Sequence, residues 1–170
     1  DLKPDVAGKW TWTSDHELSF APKDDWPVGQ DFDLRFEPKL AFAEHAKVEK
    51  DRAQFKSADF TAKVSQTEFY QDPQDPAAKK AVISLRFTHP VDTATLEQRM
   101  HLKLEGAPSG SGPKKFVVTY DEHKLQAFIH SEPLSIPKDA ARIAFTLDAG
   151  VRAARGGPAT PKALDGTVAI

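Results

Sequence analysis

The run Trp10-Thr11-Trp12-Thr13-Ser14-Asp15-His16-Glu17-Leu18-Ser19-Phe20 decides how the rest of the chain is read. Apolar and polar residues alternate on both sides of a polar turn, the period-two signature of a hairpin with one buried face. The pattern returns near the other end as Val117-Val118-Thr119-Tyr120-Asp121-Glu122-His123-Lys124-Leu125-Gln126-Ala127-Phe128. Each copy carries an Asp and a His in its turn. Each is followed by a Pro-punctuated loop and another alternating run, Phe32/Leu34/Phe36 after the first and Ile143/Phe145/Leu147 after the second. A repeat of this spacing is one β-sandwich domain long, so the chain reads as part of a domain array.

The copies are unequal. A long strand-like stretch precedes the second, whereas only Asp1 to Lys9 precede the first. The chain is therefore expected to start inside a domain and to be a fragment of something larger. The predicted fold is all-β, with immunoglobulin-like β-sandwich domains in tandem and the first of them incomplete. The expected boundary lies near Thr61 to Lys63. Residues 1–62 would form the C-terminal part of one sandwich and residues 63–170 a complete one. The first part, lacking its front, is expected to need upstream strands or a neighbouring domain over its open sheet.

Strand signals recur at Leu18/Phe20, Val64 to Gln71, Ala81 to Thr88, Met100/Leu102/Leu104 and Ile143/Phe145/Leu147. Pro and Gly cluster between them, as in Trp26-Pro27-Val28-Gly29, Asp72-Pro73-Gln74-Asp75-Pro76 and Arg155-Gly156-Gly157-Pro158, where turns are expected. Ala81 to Thr88 reads as a central strand, and His89-Pro90-Val91-Asp92 as a sandwich corner. Thr93 to Arg99 reads as a single helical turn with Asp92 or Thr93 as N-cap and Glu97 in its first turn. Ala41 to Arg52, rich in Ala, Glu and Lys, reads as helix or as an irregular connection before a strand-like run from Ala53 to Phe60.

Composition narrows the function. A net charge of −2 over 170 residues argues against a nucleic-acid or anionic-membrane footprint. No apolar run approaches the roughly 18 residues that span a bilayer. Opening on Asp1, the chain reads as trimmed, so the lack of a leader says little. With no cysteine, disulfides, thiolate catalysis and Cys-ligated metal are excluded within it.

No motif announces chemistry. His16, His45, His89, His101, His123 and His130 fall at no metal-ligand spacing, and no H-E-x-x-H occurs. His16 and His123 read as sharing a turn role. Alternation puts Asp31 and Asp33 on the solvent face of a strand, and Asp72 and Asp75 suit turn initiation better than a calcium loop. Ser, His and Asp for a triad are present without a G-x-S-x-G elbow. Ser109-Gly110-Ser111-Gly112-Pro113-Lys114-Lys115 lacks the P-loop pattern and reads as a flexible hairpin tip. Trp10, Trp12 and Trp26 suggest either an aromatic sugar-binding platform or core. Trp10 and Trp12 share a face with Leu18 and Phe20 across the hairpin, which favours core, although an incomplete domain would leave part of it exposed. No catalytic, cofactor-binding or metal residue is assigned, and no cofactor is expected.

One family collects these pieces. Gly8-Lys9-Trp10-Thr11-Trp12 through Phe20-Ala21-Pro22, then Asp25-Trp26-Pro27-Val28-Gly29, resembles the N-terminal macroglobulin domains of bacterial alpha-2-macroglobulins. So do Thr67-Glu68-Phe69-Tyr70-Gln71-Asp72-Pro73, Leu85-Arg86-Phe87-Thr88-His89-Pro90-Val91-Asp92, and Gly150-Val151 with Gly156-Gly157. The resemblance covers essentially the whole chain. It implies a large, multidomain, periplasmic protein, often anchored to the inner membrane as a lipoprotein. Such proteins cage host or competitor proteases after a bait region is cut, in many members also tethering them through a C-x-E-Q thioester. This chain would then be non-catalytic scaffold, its partners the neighbouring macroglobulin domains, with no nucleic acid and no membrane contact of its own. The rival reading is an immunoglobulin-like binding or adhesion module of a bacterial surface or carbohydrate-binding protein. A small hydrolase is a third.

Overall fold

The computed structural model describes residues 1–36, 50–71, 73–75, 79–106, 111–135 and 139–170. They divide into two compact units, Asp1–Asp59 and Phe60–Ile170. The architecture is all-β and antiparallel, with one short helix among the described residues.

In the first unit, β1 (Leu2–Lys3), β4 (Asp31–Arg35) and β5 (Arg52–Lys56) make a three-stranded sheet in the order β1-β4-β5. The quoted hairpin, β2 (Gly8–Ser14) and β3 (Glu17–Pro22), is a separate two-stranded sheet. Its cross-strand partners include Trp10 with Phe20 and Trp12 with Leu18, as the alternation required. Buried apolar residues here are few: Leu2, Val28 and Phe32. Trp26, in the loop after β3, joins the two sheets. Its ring lies 5.6 Å from Phe20 on one side and 5.2 and 5.4 Å from Phe32 and Phe55 on the other.

The second unit is a two-layer sandwich. One layer runs β10 (Phe116–Tyr120), β11 (Gln126–Ser131), β7 (Lys79–Phe87), β6 (Ala62–Gln71). The other runs β13 (Leu164–Ala169), β12 (Arg142–Leu147), β8 (Met100–Glu105), β9 (Gly112–Lys114). Alternation does the sorting: β8, β11 and β12 each bury every second residue. Ile83, Leu85, Ile129 and Ile143, from both layers, are fully buried. Each, fully buried, contributes roughly 1.5–3 kcal/mol relative to exposure.

The corner at His89–Asp92 carries the chain from one layer to the other. Val91 pairs with Ala153, and the Asp92 N–H donates to the Arg152 carbonyl at 3.0 Å. Asp92 then caps helix α1 (Thr93–Arg99), its carboxylate accepting from the Ala94 N–H at 3.0 Å. Two expectations need correction. Glu97 lies beyond the first turn of α1, which holds no acidic residue. Gly112–Lys114 is not a free hairpin tip, because it pairs with Leu102–Leu104 as β9. Residues 41–49, read as helix or connection, lie outside the described residues, as do Asp72 and Pro76.

Both units repeat one topology. The hairpins β2-β3 and β10-β11 each lead to a strand in the other sheet, β4 or β12. That strand pairs on one side with a later strand (β5 or β13) and on the other with a strand preceding the hairpin (β1 or β8). Counterparts of β6, β7 and α1 are absent from the described residues of the first unit. One packing device recurs too. A Cβ on Gly166 would lie 2.5 Å from the ring of Phe145, its cross-strand partner, and a Cβ on Gly8 would strike the ring of Phe20. Each glycine gives an aromatic ring on the next strand a flat place to lie.

Candidate functional site: an open aromatic face

The most aromatic open feature among the described residues is one face of the first hairpin. Trp10 stacks obliquely on Phe20, ring centres 4.7 Å apart and planes at 48°. Trp12 follows toward the turn, opposite Leu18. Trp10, Trp12 and Leu18, with Asp1, Leu34, Arg35 and Phe36, line a cavity of about 330 Å³. The expectation that this face is core fails at its outer end, where Trp10 is 39% and Trp12 52% exposed. The physical reason lies in the strand count. Alternation puts the indoles on the inward face, but nothing among the described residues of this unit covers them.

The second unit shows the same face closed. There the inward pair next to the turn is Tyr120 and Ala127, and Ala127 is completely buried. Helix α1 lies over this end, and the Tyr120 hydroxyl donates to Glu97 Oε1 at 2.9 Å. Burial, with help from that bond to a carboxylate, pushes the Tyr120 pKa well above the usual phenol value.

Among the described residues, the first hairpin also has a backbone edge with no strand beside it. The Lys23 N–H donates to the Ala7 carbonyl, which sets the phase of the ladder. By that phase Ser19 and Ala21 bond to β2, while the N–H and C=O groups of Leu18 and Phe20 point away from it. β3 has β2 as its sole strand neighbour among the described residues. Pro22, which has no N–H to offer, holds the next outward position.

The other candidates disperse. His16 sits in a two-residue turn whereas His123 sits in a longer one, where Lys124 adopts φ 54° and Asp121 Oδ1 accepts from the Gln126 N–H at 2.7 Å. The shared turn role is thus one of place and not of geometry. His89 lies beside Thr88, His101 beside Asp148 at 3.1 Å and His130 beside Thr119, each in its own surroundings. His45 is outside the described residues. No group of three or more His, Asp or Glu capable of holding a metal occurs among the described residues. Asp33, part of the tested calcium pair, is engaged by Arg52, whose Nε donates at 3.0 Å, and by Arg35 at 3.7 Å. The hydrogen bond from Arg52 holds the Asp33 carboxyl below its ordinary range.

The face is mainly aromatic and aliphatic, bordered by Asp1 and Arg35, so what it can chiefly do is bury another apolar surface. Sequence reasoning identified the residues on it, favoured core for them and allowed for partial exposure, which is what Trp10 and Trp12 show.

No family model matches the chain. Two curated proteins do. It is 30% identical over 170 residues to an alpha-2-macroglobulin homolog of Yersinia pestis, covering 99% of this chain and 8% of that protein. It is 31% identical over 163 residues to the alpha-2-macroglobulin of Pasteurella multocida, covering 91% of this chain and 9% of that protein. The chain thus spans less than a tenth of each relative, while nearly all of it aligns. By this end-to-end similarity to two curated relatives, the chain belongs to the bacterial alpha-2-macroglobulin family.

Proposed function

We propose that this chain is non-catalytic scaffold in a large bacterial protease inhibitor that cages proteases after they cut a bait segment. The observation that supports it most is the end-to-end alignment with two alpha-2-macroglobulins, together with a hairpin-and-crossover topology used twice. On this reading residues 1–62 are the C-terminal part of one macroglobulin-like domain and residues 63–170 a complete one. Its partners are adjoining domains, and through the parent protein it acts on host or competitor proteases. The parent would lie in the periplasm, held at the inner membrane by its own anchor. The test is to mix the full-length parent with a protease and follow cleavage of a protein and of a small peptide. Loss of protein cleavage with peptide cleavage retained supports caging; survival of both across several proteases refutes it.

One observation favours the rival binding-module reading. Exposed Trp10 and Trp12 line a cavity of about 330 Å³, within the usual range for ligand sites. Titration of the chain with oligosaccharides, read by tryptophan fluorescence, tests it. A saturable shift lost in Trp12→Ala would support a sugar platform.

A further inference from the structure

We propose that the two units turn about a single pivot, Asp59, because the residues on either side of it are each gripped by their own unit. The inference uses only the division of the chain into two units and goes beyond the caging reading, which it neither needs nor tests. It also assigns a role to two stretches that the scaffold reading leaves without one, Trp26-Pro27-Val28-Gly29 and Phe87-Thr88-His89-Pro90.

In the first unit the grip is the turn after Trp26. Gly29 adopts φ 60°, in the left-handed region that suits glycine, and Val28 beside it is buried. The Ser57 N–H donates to the Gln30 carbonyl at 2.9 Å, and the Gln30 N–H donates to Ser57 Oγ at 2.9 Å. The Ser57 hydroxyl in turn donates to the Pro27 carbonyl. One residue on, the Ala58 carbonyl accepts from the Gly29 N–H at 2.9 Å. A peptide group is planar, so that bond holds the Asp59 nitrogen with the first unit too.

In the second unit the grip is the end of β7. Phe60 is buried, its ring stacked on Phe87 with centres 5.8 Å apart and planes at 17°. The Thr61 N–H donates to Thr88 Oγ1 at 2.9 Å, and the Thr61 carbonyl accepts from the Thr88 N–H at 3.2 Å. Ala62 then opens the β6 ladder opposite Phe87. The Phe60–Thr61 peptide plane therefore moves with the second unit.

Between the two held planes lie φ and ψ of Asp59 and φ of Phe60. Rotation about these leaves every bond named above and the stacked ring in place, whereas rotation at Ser57 or Thr61 breaks a bond. Lys56 Nζ holds Asp59 Oδ1 at 2.7 Å, with both partners about half exposed, and a pair so exposed resists turning only weakly. Hinges are commonly a few element-terminal residues that absorb the change in φ and ψ. Here the grips narrow them to one, just ahead of the boundary expected at Thr61 to Lys63.

The experiment measures residual dipolar couplings on the whole chain in a weakly aligning medium. The strand amides of each unit should fit an alignment of their own. The Asp59 amide should follow the first unit, the Thr61 amide the second, and the Phe60 amide neither. Ser57→Ala should shift the couplings of Ala58 and Asp59 off the first unit's alignment and leave Thr61 with the second. Thr88→Val should shift Thr61 and leave Asp59. One alignment that fits every amide overturns the inference, since nothing then turns. So do amides that depart together from Ser57 to Thr61, the mark of a loose linker without grips. A first unit whose strand amides share no alignment overturns it as well, because a pivot needs a rigid body on each side. Variants that leave all couplings unchanged do the same, since the grips would not be what holds the planes. No readout uses a protease, so failure of the caging reading and failure of this inference are separable.

Discussion

Asp92 ties the sandwich corner on both sides: its carboxylate accepts from the Ala94 N–H, and its own N–H donates to the Arg152 carbonyl. Asp92→Ala should lower stability by about 1 kcal/mol in chemical denaturation, and Asp92→Asn should keep most of it. Asp33 offers a test in pH. Its carboxyl is held below its ordinary range by Arg52, so its contribution is present above the unfolded value of about 4 and is lost as pH falls through the lower folded value. The first unit's acid transition should therefore flatten in Asp33→Asn, as followed by Trp26 fluorescence. The cap was legible because Asp before Thr93-Ala94-Thr95 is a local signal. The Asp33–Arg52 pair was not, since it joins strands separated by residues that no local pattern relates.

At the scale of elements, α1 and β10 are coupled through Tyr120 and Glu97. The phenol's folded pKa is raised, chiefly by burial, so its stabilisation is present below about 10 and declines as pH rises toward the folded value. Alkaline unfolding of the second unit should begin at lower pH in the native protein than in Tyr120→Phe, which has no proton to lose. The strands themselves were readable: period-two alternation found β7, β8, β11 and β12 because both layers bury every second residue. Whether a face is covered was not readable, since Trp10 and Trp12 alternate as core residues do. The pattern encodes direction, and exposure depends on which other strand arrives.

For the molecule as a whole, the two units differ in how much core they own. The second has apolar residues buried from both layers, whereas the first buries Leu2, Val28 and Phe32. Residues 60–170 expressed alone should unfold in a single cooperative transition by calorimetry and circular dichroism, and Ile83→Ala should cost about 2–5 kcal/mol of it. The repeated hairpins, β2-β3 and β10-β11, were legible in the sequence; the aromatic ring on glycine was not, because nothing in a lone Gly166 announces Phe145. That pairing has a consequence for descent. Gly166→Ala should cost about 1–3 kcal/mol by crowding the ring. A smaller residue at 145 should return part of that cost, giving a non-additive double-mutant cycle. Positions 145 and 166 are thus inherited as one character: a lineage that enlarges the second must first shrink the first, and substitutions there should appear in relatives as pairs.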